Sequence, residues 1–76
     1  MFKKIAALLA EIIGFDDDDI YMETKLSSEF GIEPIDVAKL VIECEREFGI
    51  EIMDEDVHTF KEVGDIVRYV KRLQEY

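Results

Sequence analysis

Along the first fourteen positions, apolar residues recur three and four apart. At about 100° per residue, Phe2, Ile5, Ala6, Leu8, Leu9, Ile12 and Ile13 share one side of a helix, with Lys3, Lys4 and Glu11 opposite. The spacing predicts an amphipathic helix from Phe2 to Ile13 that stops at Gly14, where a left-handed turn costs least. Two lysines before an apolar run also suggest a secretory leader. Glu11 interrupts that run and the helical period continues through it, so a core helix is expected instead. Positions 15–33 lose the period. They hold Asp16-Asp17-Asp18-Asp19 and scattered apolar anchors: Ile20, Tyr21, Met22, Leu26 and Phe30. A connection this long in a small protein is expected to lie across the core, here pinned by Leu26 and Phe30. Ser27-Ser28-Glu29 suits a short helical turn within it.

The helical period returns from Pro34 to Phe48. Proline fits the first helical position, where its fixed φ is already helical and its missing N–H loses no partner. Glu33 favours the positive end of the helix dipole, and Gly49 ends the helix. The apolar residues of this helix separate into two stripes. Val37, Leu40, Val41, Cys44 and Phe48 form a wide one suited to a core. Ile35, Ala38 and Ile42 form a second, about a third of a turn away, flanked by Lys39, Glu45 and Arg46. Either the second stripe widens the core face, or it is an exposed apolar patch rimmed by charge, the usual form of a docking surface. Asp54-Glu55-Asp56 has the acidic character of a first turn and predicts a short helix reaching about Thr59. Val63, Ile66, Val67, Val70 and Leu73 then fit a helix from about Glu62 to Gln74, with Lys71 and Arg72 at its negative end. Ile50-Glu51-Ile52 alternates like a strand but has no partner strand. The expected fold is all-α: three longer helices and one short helix around one core, with a long loop between the first two.

Length and charge narrow the possibilities. The 76 residues suit a single domain spanning 1–76, and 49% apolar content is too rich for a disordered tail. Nineteen acidic against nine basic residues leave a net charge of −10, which repels phosphate backbones and argues against nucleic-acid binding. Basic surfaces on protein partners are the complementary choice. No run approaches the roughly 18 apolar residues of a membrane span. Cys44 is the one cysteine, so no internal disulfide can form; a reducing, cytoplasmic setting and a monomeric chain are expected.

Candidate chemistry is sparse. The run Asp16–Asp19 lacks the alternating ligands, turn glycine and terminal Glu of a calcium-binding loop, so a solvated cluster and no metal site are expected. Cys44 falls on the core stripe, and Glu43, Glu45 and Glu47 around it should raise its pKa, the reverse of what a nucleophile needs. His58 has no Ser or Cys at a catalytic spacing and is expected at the surface. No catalytic constellation emerges, and no enzymatic activity is expected.

Four segments together resemble the acyl carrier protein family. Phe30-Gly-Ile-Glu-Pro-Ile-Asp-Val-Ala-Lys-Leu40 is similar to the family's Leu-Gly-x-Asp-Ser-Leu-Asp-x-Val-Glu-Leu. Glu43-Cys-Glu-Arg-Glu-Phe48 resembles the acidic end of its second helix, and Glu51-Ile-Met-Asp-Glu-Asp56 its Glu-Ile-Pro-Asp-Glu-Asp. Phe60-Lys-Glu-Val-Gly-Asp-Ile-Val-Arg-Tyr-Val70 resembles its closing segment. The resemblance implies a non-enzymatic carrier, working with acyl-processing enzymes of fatty-acid or polyketide-type biosynthesis. In the family the acyl group rides on a phosphopantetheine arm esterified to the motif's serine.

The matching position here is Pro34, which has no hydroxyl, so no phosphopantetheine is expected on the chain as it stands. Docking through the second helix implies partner contacts at Glu33, Ile35, Asp36, Ala38, Lys39, Ile42 and Glu43. Lys39 and Arg46 stand where the family is acidic, and should repel the basic patches of the usual partners. Three readings follow: a docking module without the arm; a working carrier, with Pro34 an engineered replacement or with Ser27 or Ser28 taking the arm; or a small helical regulatory or assembly subunit.

Overall fold

The computed structural model describes residues 1–75. The elements are α1 (Phe2–Ile13), α2 (Pro34–Phe48), α3 (Asp54–Val57) and α4 (Val63–Gln74), with single 3-10 turns at Asp17–Asp19 and Ser28–Phe30. This is the all-α arrangement expected, with the long connection between α1 and α2. Ile5, Leu9, Leu40, Cys44, Val63, Ile66 and Val70 fill its centre and are fully buried. Ala6 and Ala10 are buried on the same side of α1, where small side chains let a neighbouring helix approach.

The helix ends follow from local chemistry. Gly14 takes φ 76°, and the N–H groups of Gly14 and Phe15 both donate to the Ala10 carbonyl, closing α1. At the start of α2, the Asp36 carboxylate accepts the Glu33 N–H at 2.9 Å. At the start of α4, Asp65 accepts the N–H groups of Lys61 and Glu62 at 2.9 and 3.0 Å and pairs with Arg68 at 2.9 Å. Those contacts, the Lys61 N–H foremost, hold the Asp65 carboxyl below its ordinary pKa. The third helix is shorter than expected, ending at Val57. The N–H and the hydroxyl of Thr59 both turn back to the Asp56 carbonyl, at 3.0 and 2.6 Å, so the chain leaves the helix there. A 2.7 Å bond from the Tyr69 hydroxyl to Asp56 ties α3 to α4, and an edge-to-face contact of the Tyr69 and Phe60 rings at 5.3 Å ties in the segment between them.

The long connection does lie across the core, on some of the expected anchors and not others. Phe30, expected to pin it, is 50% exposed, and Tyr21 is 60% exposed. Ile20 is buried and Leu26 half-buried as expected, and Ile32 is buried as well. Met22 packs against the core and Lys25 pairs with Glu62 at 3.0 Å, and backbone bonds supply the rest of the anchoring. Leu26 N–H donates to Lys61, Val63 N–H to Thr24 and Gly64 N–H to Met22, at 2.9, 3.0 and 2.8 Å. The pairing is a single antiparallel bridge between Lys25 and Glu62, and Ile50 to Ile52 forms no strand. A Cβ on Gly64 would sit 3.0 Å from the Met22 carbonyl, so glycine is what lets the loop lie this close. Leu73, placed on the core stripe by its spacing, is 39% exposed because α4 ends there.

Candidate functional site: the exposed face of α2

Rotation about α2 separates its two stripes as the spacing requires. Leu40, Val41 and Cys44 are buried, and Val37 and Phe48 half-buried. On the second stripe Ile35 is 65% exposed and Ile42 52% exposed, with Ala38 exposed between them. These residues do not widen the core face. Ile42 stands as a ridge between two open grooves. One, of about 430 Å³, runs between α1 and α2 past Leu8, Ile12 and Lys39. The other, of about 450 Å³, runs between α2 and α3 past Val41, Ile52 and His58.

Charge around the stripe is mixed. Glu33 and Lys39 are exposed, while Asp36 and Glu43 are half-buried. Glu43 lies 3.6 Å from Arg46 one turn on, and Glu47 pairs with Lys4 of α1 at 3.0 Å. Lys39 forms no ion pair among the described residues. All seven residues assigned to docking thus fall on the N-terminal two-thirds of one helix and its cap.

Pro34 is the first residue of α2, and the turn from Glu33 to Val37 contains no hydroxyl or thiol side chain. A phosphodiester-linked arm has nothing to attach to there. The serines sit earlier. Ser27 is half-buried, and its carbonyl accepts the N–H groups of Phe30 and Ile32; Ser28 is exposed within the 3-10 turn. Cys44 is fully buried and its thiol is pushed up to about 12, by burial first and then by Glu43, Glu45 and Glu47. The direction matches the sequence expectation, but burial outweighs the glutamates named for it. His58 is exposed at the edge of the α2–α3 groove. Asp16, Asp17 and Asp18 place one carboxylate oxygen each within 4.8 Å of the others, all exposed, and Asp16 caps its own turn by accepting the Asp18 N–H.

Two features of this end of the molecule escaped the sequence reading. Ile32 stands just before the capping residue of α2, with Val37 five positions on, the pattern of a hydrophobic staple that could have marked it as an anchor. Phe15, Tyr21 and Phe30, far apart in the chain, line one pocket. No local pattern signals that.

The fold and the α2 face define a carrier domain. The family described as "Phosphopantetheine attachment site" matches residues 3–70, and this chain belongs to that family. The acyl carrier proteins of three Clostridium perfringens strains are each 36% identical over 70 residues, covering 92% of this chain and 92% of theirs. The crystal structure of the acyl carrier protein from Thermotoga maritima superposes with a TM-score of 0.79 at 31% identity, covering 99% of this chain and 94% of that one. Members of this family carry groups rather than transform them, and the chain is not an enzyme. Among the described residues no helix is long and apolar enough to cross a membrane.

Proposed function

We propose that this chain is a carrier-family docking module that works without a phosphopantetheine arm. Pro34 takes the place of the attachment serine, in a helix turn that offers no hydroxyl. That residue, beside an exposed apolar stripe, is the observation that carries the reading. The module is a single cytoplasmic domain, monomeric until it meets its partner, and needs no cofactor. Its partners are acyl-processing enzymes that normally receive a loaded carrier. Ile42 enters an apolar socket on the enzyme, Ile35 and Ala38 extend the contact, and Glu33, Asp36 and Glu43 meet basic residues. Burying the exposed part of one isoleucine contributes about 1 kcal/mol, so several such contacts are needed. Lys39 selects partners with an acidic group opposite it and disfavours those that are uniformly basic. An unloaded domain on such a surface acts by occupying it.

The test is competition. In excess, the chain should raise the apparent KM of a carrier-dependent acyltransferase for its loaded carrier without changing kcat. Ile42→Ser should remove the effect. Unchanged kinetics across a panel of such enzymes would set aside the docking reading and favour the small helical regulatory or assembly subunit.

A further inference from the structure

At the end of the bundle where α1 gives way to the long connection, three large aromatic side chains remain half-exposed. Phe15 and Phe30 are each 50% exposed and Tyr21 is 60% exposed. All three line one pocket of about 220 Å³, floored by the buried Ile20 and Ile32. At that volume it is too small for an acyl chain or a nucleotide. A single side-chain terminus fits it.

The pocket is held in shape by backbone rather than by filler. Phe15 follows the left-handed Gly14, and its N–H is bound to Ala10 at 3.0 Å. Tyr21 opens a turn closed in both directions: its N–H donates to the Thr24 hydroxyl at 2.8 Å, and Thr24 N–H donates to its carbonyl at 3.1 Å. Phe30 precedes the left-handed Gly31, and its N–H is bound to Ser27 at 3.0 Å. The ring of Phe15 lies over Gly31, 3.8 Å from where a Cβ would stand. The rim is acidic. Asp19 and Glu23 line it, while the only cation there, Lys25, has its ammonium 3.0 Å from Glu62. Asp16 to Asp18 add their charge just outside.

Aromatic faces carry negative potential, and carboxylates at the rim reinforce it. We infer that this pocket is a second contact site, which receives the guanidinium or ammonium of an arginine or lysine side chain on a protein partner. A protein source is favoured over a free organic cation by the net charge of −10, which draws basic protein surfaces from a distance. None of its lining residues is among the seven assigned to docking on α2, so the site does not depend on what that face binds.

The experiment is a 1H–15N NMR titration of the whole chain with N-acetylarginine amide, and with N-acetylcitrulline amide as an uncharged match. Arginine should shift the amides of Phe15, Tyr21, Phe30 and Ile32 with saturation, and citrulline should not. Tyr21→Leu keeps apolar bulk but removes a ring face, and should weaken arginine binding by at least about threefold. Phe30→Leu should do the same at a site with different backbone support. Equal binding of citrulline would overturn the inference, as would shifts confined to Asp16–Asp18 or unchanged affinity in both leucine variants. Tighter binding of tetramethylammonium than of arginine would overturn the choice of a protein side chain. Loss of competition at α2 would leave all of these outcomes as they are.

Discussion

Ile42 and Val41 are adjacent in the chain and face opposite surroundings. Ile42 is 52% exposed; Val41 is buried against the core. Ile42→Ser should therefore change stability by less than about 1 kcal/mol. Val41→Ser, which removes buried methyls and inserts a hydroxyl without a partner, should cost about 2–4 kcal/mol. Urea denaturation of both variants checks this, and equal losses would return Ile42 to the core.

Cys44 gives a second prediction at this scale. Burial holds its thiol at about 12, against 9.0 ordinarily, so above pH 9 the unfolded chain loses a proton that the folded chain keeps. The stabilising contribution is intact below that range and is lost as pH rises toward 12, by up to about 1.4 kcal/mol per pH unit. Tyr69, raised chiefly by its bond to Asp56, acts in the same direction. Cys44→Ala should flatten the alkaline fall in Tm; an unchanged slope would show that Cys44 is not its source. Val41, Ile42 and Cys44 were legible in sequence because helical spacing alone assigns each to a stripe. Exposure of the second stripe was not, since spacing cannot say whether another element covers it.

Among the elements, the three long helices were readable to within a residue, because the apolar period marks all three and Gly14, Pro34 and Gly49 mark boundaries of the first two. The connection was not. Its apolar residues have no period, so nothing in 15–33 separates the buried Ile20 and Ile32 from the exposed Tyr21 and Phe30. Its attachment to α4 runs through backbone N–H and C=O groups, which every residue has. Besides the Lys25–Glu62 ion pair, the contact depends on residue type at Gly64, where an added Cβ would meet the loop backbone. Gly64→Ala gains helix propensity of about 1 kcal/mol, but it must displace the Met22 carbonyl, which the Gly64 N–H itself holds at 2.8 Å. A net loss of about 1 kcal/mol is expected, with faster amide exchange at Gly64 and Leu26, both donors in this pairing. A stabilised Gly64→Ala variant would show that the loop can shift without penalty.

For the whole molecule, charge is the dominant feature. Four ion pairs among the described residues, all at least partly exposed, leave most of the nineteen carboxylates without a cation. Raising NaCl to about 0.5 M shortens the Debye length to a few ångströms and should raise Tm by more than about 4 °C, equivalent to about 1 kcal/mol in a chain this small. A divalent cation at equal ionic strength should add to the rise through the Asp16–Asp19 segment. A Tm indifferent to both would mean that repulsion is already balanced locally.

Family membership was also legible at this scale, because four short segments matched in register across most of the chain. What the family's fold does here turns on one residue. Intact-mass measurement after incubation with coenzyme A and a broad-specificity phosphopantetheinyl transferase tests that most directly, with an ordinary acyl carrier protein as the positive control. Pro34 offers no hydroxyl, so the expected result is a mass unchanged while the control gains about 340 Da, the mass of the arm as a covalent modification. A gain on this chain, mapped by peptide fragmentation to Ser27 or Ser28, would contradict a module that works without the arm and would make it a loaded carrier with a displaced attachment site.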